Sequence, residues 1–277
     1  MRNDGTSQGE ITDFPPPLRH PFSSIATMNP SRHTEMPSLN GKRVFITGGT
    51  TGIGRAIANL LGSEGAKIFT CGRNAEPLND ALVSIRSSGA FAEGCTADLS
   101  RAEGITRVFS AADEALGGLD IFINNAALAG GGVEEETDES WRYIVESNLL
   151  GYIGCAKEAI ARMKPRKTGH IVLIGSMSAD VREAGSSVYV ATKSGIQGFA
   201  EALRKEVNKD GIKVSLIEPG KTGSDMQDST PEEQRQMIEK GEMLRAEDVA
   251  VATHYVLTQP ARCDVVVLQL RPHLQLI

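Results

Sequence analysis

Two rhythms of apolar residues alternate along this chain. Short apolar runs rich in β-branched residues occupy 43–47 (RVFIT), 67–71 (KIFTC), 91–96, 119–123 (LDIFI), 170–175 (HIVLIG), 213–218 (KVSLIE) and 264–270 (DVVVLQL), and each reads as a strand. Between them the apolar positions recur at three- and four-residue spacing. Ile53, Ile57, Leu60 and Leu61 share one face of a helix over 53–63. Further helices are expected over 76–88, 101–116, 139–163, 188–209, 231–240 and 246–258, and Ile196, Phe199, Ala200, Leu203 and Val207 line one side of the fifth. Strands separated by helices cannot pair as hairpins; they join through right-handed crossovers into a parallel sheet covered on both faces. The expected fold is therefore α/β: a single-domain Rossmann fold, a doubly wound seven-stranded parallel sheet with helices on both faces.

Residues 1–40 break the rhythm. Pro15, Pro16 and Pro17 forbid a helix there and no apolar period appears, so 1–40 is expected to be a flexible extension ahead of a folded domain over 41–277. Met36 stands just ahead of the first strand and is a second candidate start of translation. The chain has 277 residues, and its net charge of −6 carries no long basic stretch, which gives a nucleic-acid partner no electrostatic support. No apolar run is long enough to span a bilayer. Cys71, Cys95, Cys155 and Cys263 are scattered without ligand spacing, and the five histidines show none either. Free thiols in a reducing, cytoplasmic setting are expected, and no metal.

The first strand runs into Thr47-Gly48-Gly49-Thr50-Thr51-Gly52-Ile53-Gly54 and then a helix. Glycines at such a turn let the backbone pass close to a pyrophosphate, while the helix N-terminus offers free N–H groups to it. After the second strand comes Arg73, where NAD-binding folds usually place an acid for the ribose hydroxyl. A guanidinium there can chelate a 2′-phosphate, so NADP(H) is favoured over NAD(H). On a helix, Tyr189 and Lys193 share a face, and the ammonium is expected to lower the phenol's pKa. Ser176 closes the strand thirteen residues before that tyrosine, at the sheet edge where such folds bind ligands, with Ser178 as a competitor. Asn148 lies mid-helix, where asparagine is disfavoured.

The T-G-x-x-x-G-x-G turn, the strand-end Ser176 and the Y-x-x-x-K pair together resemble the short-chain dehydrogenase/reductase family over about residues 39–270. The resemblance implies a hydride transfer between NADP(H) and a small carbonyl or alcohol. Asn148, Ser176, Tyr189 and Lys193 would form the catalytic set, with Asn148 holding a water that links Lys193 to solvent. It further implies that Thr47, Gly48, Thr50, Thr51, Gly52, Ile53, Gly54, Arg73, Asp98, Leu99 and Asn125 face the cofactor, together with Tyr189, Lys193, Pro219, Gly220 and Thr222. Asp98 would touch the adenine or cap the next helix. Ala127 replaces a usual glycine in Asn124-Asn125-Ala126-Ala127, and no D-G-G follows the last strand. A homodimer or homotetramer is the family's habit. An NAD-linked alcohol dehydrogenase and a non-catalytic nucleotide sensor remain the alternatives.

Overall fold

In this computed structural model the described residues are Met1, 36–227 and 229–275. The expected extension over 1–40 therefore lies almost wholly outside them. Leu39 is already buried in the core, so the folded unit takes in residues ahead of the expected boundary at 41.

Seven parallel strands form one sheet: β1 (Arg43–Thr47), β2 (Lys67–Gly72), β3 (Ala92–Thr96), β4 (Ile121–Asn124), β5 (Gly169–Ile174), β6 (Ile212–Pro219) and β7 (Val267–Leu270). Their order is β3-β2-β1-β4-β5-β6-β7. The direction of winding reverses between β1 and β4, which opens a crevice at the carboxyl ends of those two strands. The helices are α1 (Gly52–Ser63), α2 (Ala75–Arg86), α3 (Ala102–Leu116), α4 (Asp138–Val145), α5 (Gly151–Met163), α6 (Ser178–Val181), α7 (Ser187–Val207), α8 (Pro231–Glu239) and α9 (Ala246–Leu257).

Alternation along the strands divides the core in two. On β1, Val44 and Ile46 join the cluster beneath α1, α2 and α9, while Phe45 joins the cluster beneath α3, α5 and α7. The Phe45 ring meets Phe69, Phe109 and Phe122 at centroid distances of 5.3, 4.9 and 5.4 Å. Each such ring contributes roughly 1.5–3 kcal/mol by leaving water. The end signals are local. Thr137 caps α4 by accepting from the Ser140 N–H, Gly117 ends α3 in the left-handed region, and Thr230 with Glu233 closes a capping box on α8.

Three elements differ from the sequence expectation. The helix over 139–163 is interrupted by a π turn at Glu146–Leu150. A four-residue helix, α6, follows Ser176 where none was expected. Strand β7 begins at Val267 rather than at 264, where Asp264 instead pairs with Lys213 at 3.0 Å.

Candidate active site

The turn after β1 is held from behind by buried polar groups. Thr47 is fully buried, and its hydroxyl accepts from the Asn125 and Ala126 N–H groups at 2.9 and 3.1 Å. The Asn125 amide donates to the Thr47 and Gly48 carbonyls at 3.0 and 3.1 Å. Gly48 adopts φ +66°, and a Cβ there would stand 2.8 Å from Ala126 Cα. At Gly54 a Cβ would stand 2.2 Å from the Gly48 carbonyl oxygen, so α1 can lean on the turn only without one. Thr51, the N-cap of α1, makes no side-chain cap, and no acid occupies the first turn. The leading N–H groups of α1 are thus left for an anion.

Gly48, Thr50, Thr51, Gly52 and Ile53 line the crevice, and Arg73, Asp98, Leu99 and Asn125 continue its wall. Thr47 and Gly54, expected to face the cofactor, are not among the residues that line the crevice. The first is fully buried and the second is pressed against Gly48, so both act by shaping the turn. Pro219, Gly220 and Thr222 also lie off this wall. Thr222 is 5% exposed and donates to the Gly220 carbonyl at 2.9 Å. Ser224, Asp225 and Met226 stand on the wall instead. A bridge between Thr222 and Leu244 closes the loop that carries them.

Asp98 accepts from the Ser100 N–H at 3.0 Å, an Asx turn leading into α3, and from the Tyr143 hydroxyl at 3.1 Å. Burial alone would raise its carboxyl, but the hydrogen bonds outweigh burial and hold it below the ordinary value. Arg73 is exposed, and its guanidinium donates to Tyr143 at 3.4 Å. Ala127 takes no positive φ, so the alanine in place of glycine brings no strain.

At the other end of the crevice Tyr189 and Lys193 stand on the wall together. The Ser176 side chain lies close enough to the Tyr189 hydroxyl to favour its anion, and its Oγ accepts from the Ser178 N–H at 3.1 Å. The Ser178 hydroxyl instead donates to Glu183 at 2.6 Å. Lys193 is 2% exposed; its Nζ donates to the Ile174 carbonyl at 3.1 Å and lies 5.6 Å from the Tyr189 ring centre. Burial pulls its ammonium down to about 8. The expectation that this cation lowers the phenol is corrected here. Burial pushes Tyr189 above its ordinary value, and only the Ser176 bond offsets that. One of the ammonium's three donors goes to the Ile174 carbonyl, and the Lys193 charge is not among the causes that shift the phenol.

Asn148 lies in the π turn, fully buried, and pairs twice with one backbone unit. It donates to the Leu128 carbonyl at 2.8 Å and accepts from the Leu128 N–H at 2.7 Å. A π turn carries one residue more than the α-helical ladder uses, and such turns recur at functional sites. Asn148 touches neither Tyr189 nor Lys193 by any hydrogen bond of the described residues; its amide ties the segment after β4 to the helix.

Fold and crevice together define a dinucleotide-dependent oxidoreductase of the doubly wound α/β class. The family model for short chain dehydrogenase matches residues 42–235, and the chain belongs to that family. An uncharacterized oxidoreductase of Staphylococcus aureus strain MRSA252 is 31% identical over 239 residues, covering 86% of this chain and 100% of that one. Among solved structures, a variant of actinorhodin polyketide ketoreductase with NADPH is 31% identical, with a TM-score of 0.76, over 84% of this chain and 97% of that one. An NAD+-bound xylitol dehydrogenase, 20% identical with a TM-score of 0.76 over 85% of this chain and 100% of that one, shares the fold alone. No helix among the described residues is long and apolar enough to cross a membrane.

Proposed function

We propose that the chain is an NADP(H)-dependent carbonyl reductase or alcohol dehydrogenase in which Tyr189 is the general acid and base. The observation that carries this reading is Tyr189 on one crevice wall with the buried Lys193, whose Nζ lies 5.6 Å from its ring centre, and with the Ser176 side chain close enough to act on the phenol. The cradle fits the cofactor: Gly48 leaves room for close backbone approach, and the uncapped start of α1 suits a pyrophosphate. Gly48, Thr50, Thr51, Gly52 and Ile53 would hold it, with Asp98, Leu99 and Asn125 toward its adenine half. Arg73 would take the 2′-phosphate through its fork of N–H donors. When bound, the nicotinamide supplies or accepts the hydride at the carbon that bears the reacting oxygen.

In reduction, Ser176 and Tyr189 donate hydrogen bonds to the substrate carbonyl oxygen, where negative charge develops. Tyr189 then gives its proton to that oxygen. Lys193 holds a proton at Nζ within the same wall and, with its pKa near 8, can return one near neutrality. Asn148 keeps the π turn and the Leu128 segment in place beside it. In oxidation the same groups act in reverse.

The catalytic domain is the folded unit that takes in Leu39 ahead of the expected start at 41. Four free cysteines suit a reducing cytoplasm. Leu150 and Ile153, 54% and 40% exposed beside the π turn, favour self-association into a dimer or tetramer.

The test is NADPH consumption over a panel of ketones and aldehydes, with NADH in parallel. Tyr189→Phe keeps the ring and loses the proton, so kcat should fall about a thousandfold with NADPH affinity unchanged. A wild-type protein that binds NADPH and turns over none of the panel, or a fully active Tyr189→Phe, would refute the assignment.

A further inference from the structure

Beneath the Ser176–Tyr189 pair lies a carboxyl group that the chemistry above does not use. Glu218, on β6, is 0% exposed, and its Oε1 has no hydrogen-bond partner. Its Oε2 accepts from the Gln269 amide of β7 at 3.1 Å. The same amide donates to Asp180 Oδ2 of α6 at 2.6 Å. Gln197 of α7 donates to Asp180 Oδ1 at 3.0 Å and also reaches Glu218. Two carboxyls and two amides thus tie together four elements, β6, β7, α6 and α7.

Those elements are the ones that set the reacting pair. Asp180 sits in the short helix that follows Ser176, whose carbonyl accepts from the Ala179 N–H at 3.1 Å. Gln197 sits two turns beyond Tyr189 on α7. The Ser194 hydroxyl adds a second tie, donating to the Ala179 carbonyl at 3.4 Å. Strand β6 holds Ser176 from both sides: Gly175 N–H donates to Ile217 at 2.7 Å and Met177 N–H to Pro219 at 3.0 Å. Glu218 lies between those two acceptors, and its Cγ would stand 3.1 Å from a Cβ placed on Gly175. The placement of Ser176 against Tyr189 is therefore tied, away from their hydroxyls, through the Asp180 carboxylate.

We propose that Asp180, held by Gln197 and Gln269 above the buried Glu218, is a positioning residue that sets Ser176 against Tyr189. None of the four side chains touches the reacting atoms. A shift of the strand-end serine by a fraction of an ångström weakens both its bond to the substrate oxygen and its bond to the phenol. This inference rests on the oxidoreductase reading.

Asp180 is exposed, so Asp180→Ala should fold. Its kcat should fall about tenfold, a modest misplacement on the scale of oriented catalysis, while NADPH affinity stays the same. Because the Ser176 bond pulls the Tyr189 phenol down, loosening it should move the alkaline limb of the reduction profile to higher pH. Asp180→Asn keeps an acceptor for one amide, and Glu218→Gln keeps one for Gln269; both should recover most of the rate. A wild-type kcat and an unmoved alkaline limb in Asp180→Ala would overturn the proposal. So would a fall in rate matched by equal losses in thermal stability and NADPH affinity, which is the mark of a structural role alone. Ser176→Ala separates this failure from that of the parent reading. An inactive Ser176→Ala beside a normal Asp180→Ala removes the clamp and keeps the enzyme; an active Ser176→Ala removes the Ser176 role itself.

Discussion

The two ends of the crevice are built by different means. At the cofactor end, backbone holds backbone through fully or mostly buried intermediaries: Thr47 and Asn125 pin the glycine turn, and Thr70 accepts from the Gly49 N–H at 3.1 Å while donating to the Ile46 carbonyl at 2.8 Å. At the substrate end, side chains hold side chains near the surface. Ser178 bonds Glu183, and Gln197 and Gln269 bond Asp180. Buried bonds of the first kind tolerate little change, because an orphaned buried donor costs about 1–3 kcal/mol. Exposed ties of the second kind can be exchanged one at a time. A fixed cofactor end and an adjustable substrate end would let one scaffold serve different carbonyl compounds.

The sharpest way to break that contrast is Gly54→Ala. The added methyl meets the Gly48 carbonyl at 2.2 Å and the Asn125 amide at 2.5 Å, both locked by other bonds. NADP(H) affinity should fall about a hundredfold or more, and overpacking should cost about 1–3 kcal/mol of stability. Calorimetric binding and a denaturant melt would measure the two together. A variant with normal affinity would mean that the cradle yields, and the contrast would fail. Next in size is Arg73→Ala. This residue is exposed and bonded only at 3.4 Å to Tyr143, so stability should not change. Affinity for NADP(H) should fall about tenfold while that for NAD(H) holds, since a charge-assisted hydrogen bond contributes about 1.5–3 kcal/mol. Equal losses for both cofactors would show that Arg73 reads no 2′-phosphate.

The same contrast explains what could be read in the sequence. The cofactor end is a continuous motif on a strand, a turn and a helix, and Gly48, Thr50, Thr51, Gly52, Ile53 and Arg73 line the crevice. The five inner strands are legible because buried parallel strands are largely apolar, whereas the edge strands β3 and β7 are partly exposed and β3, AEGCT, gives the weakest signal. Thr47 holds the turn from behind, and a threonine that does so has the same place in the sequence as one that faces the crevice. The π turn was hidden because one extra residue hardly disturbs an apolar period. Helix α6, at four residues, is too short to have a period at all. Ser224, Asp225 and Met226 reach the wall only because Thr222 and Leu244 pair, and nothing local announces that bridge. Most telling is Tyr189: the spacing to Lys193 was right, but the sequence could not show that the amine bonds the Ile174 carbonyl. Burial therefore dominates the phenol.

That burial makes the substrate end testable through a single exposed charge. Three influences act on Tyr189: burial raises its pKa, the Ser176 bond lowers it, and the Glu183 carboxylate raises it. Glu183→Gln removes the last and keeps an acceptor for the Ser178 hydroxyl. The phenol pKa should then fall. Reduction requires the protonated phenol, so its alkaline limb should move to lower pH. Oxidation requires the phenolate, so its acid limb should move to lower pH as well. The expected change is the smallest of the series, because Glu183 is exposed and salt screens such charges over about 8–10 Å at ordinary ionic strength. For the same reason the difference between wild type and Glu183→Gln should shrink in high salt, whereas the Gly54→Ala defect, which is steric, should not. Limbs that coincide at low salt would mean that the charge does not reach the phenol, leaving the substrate end coupled to Tyr189 through hydrogen bonds alone.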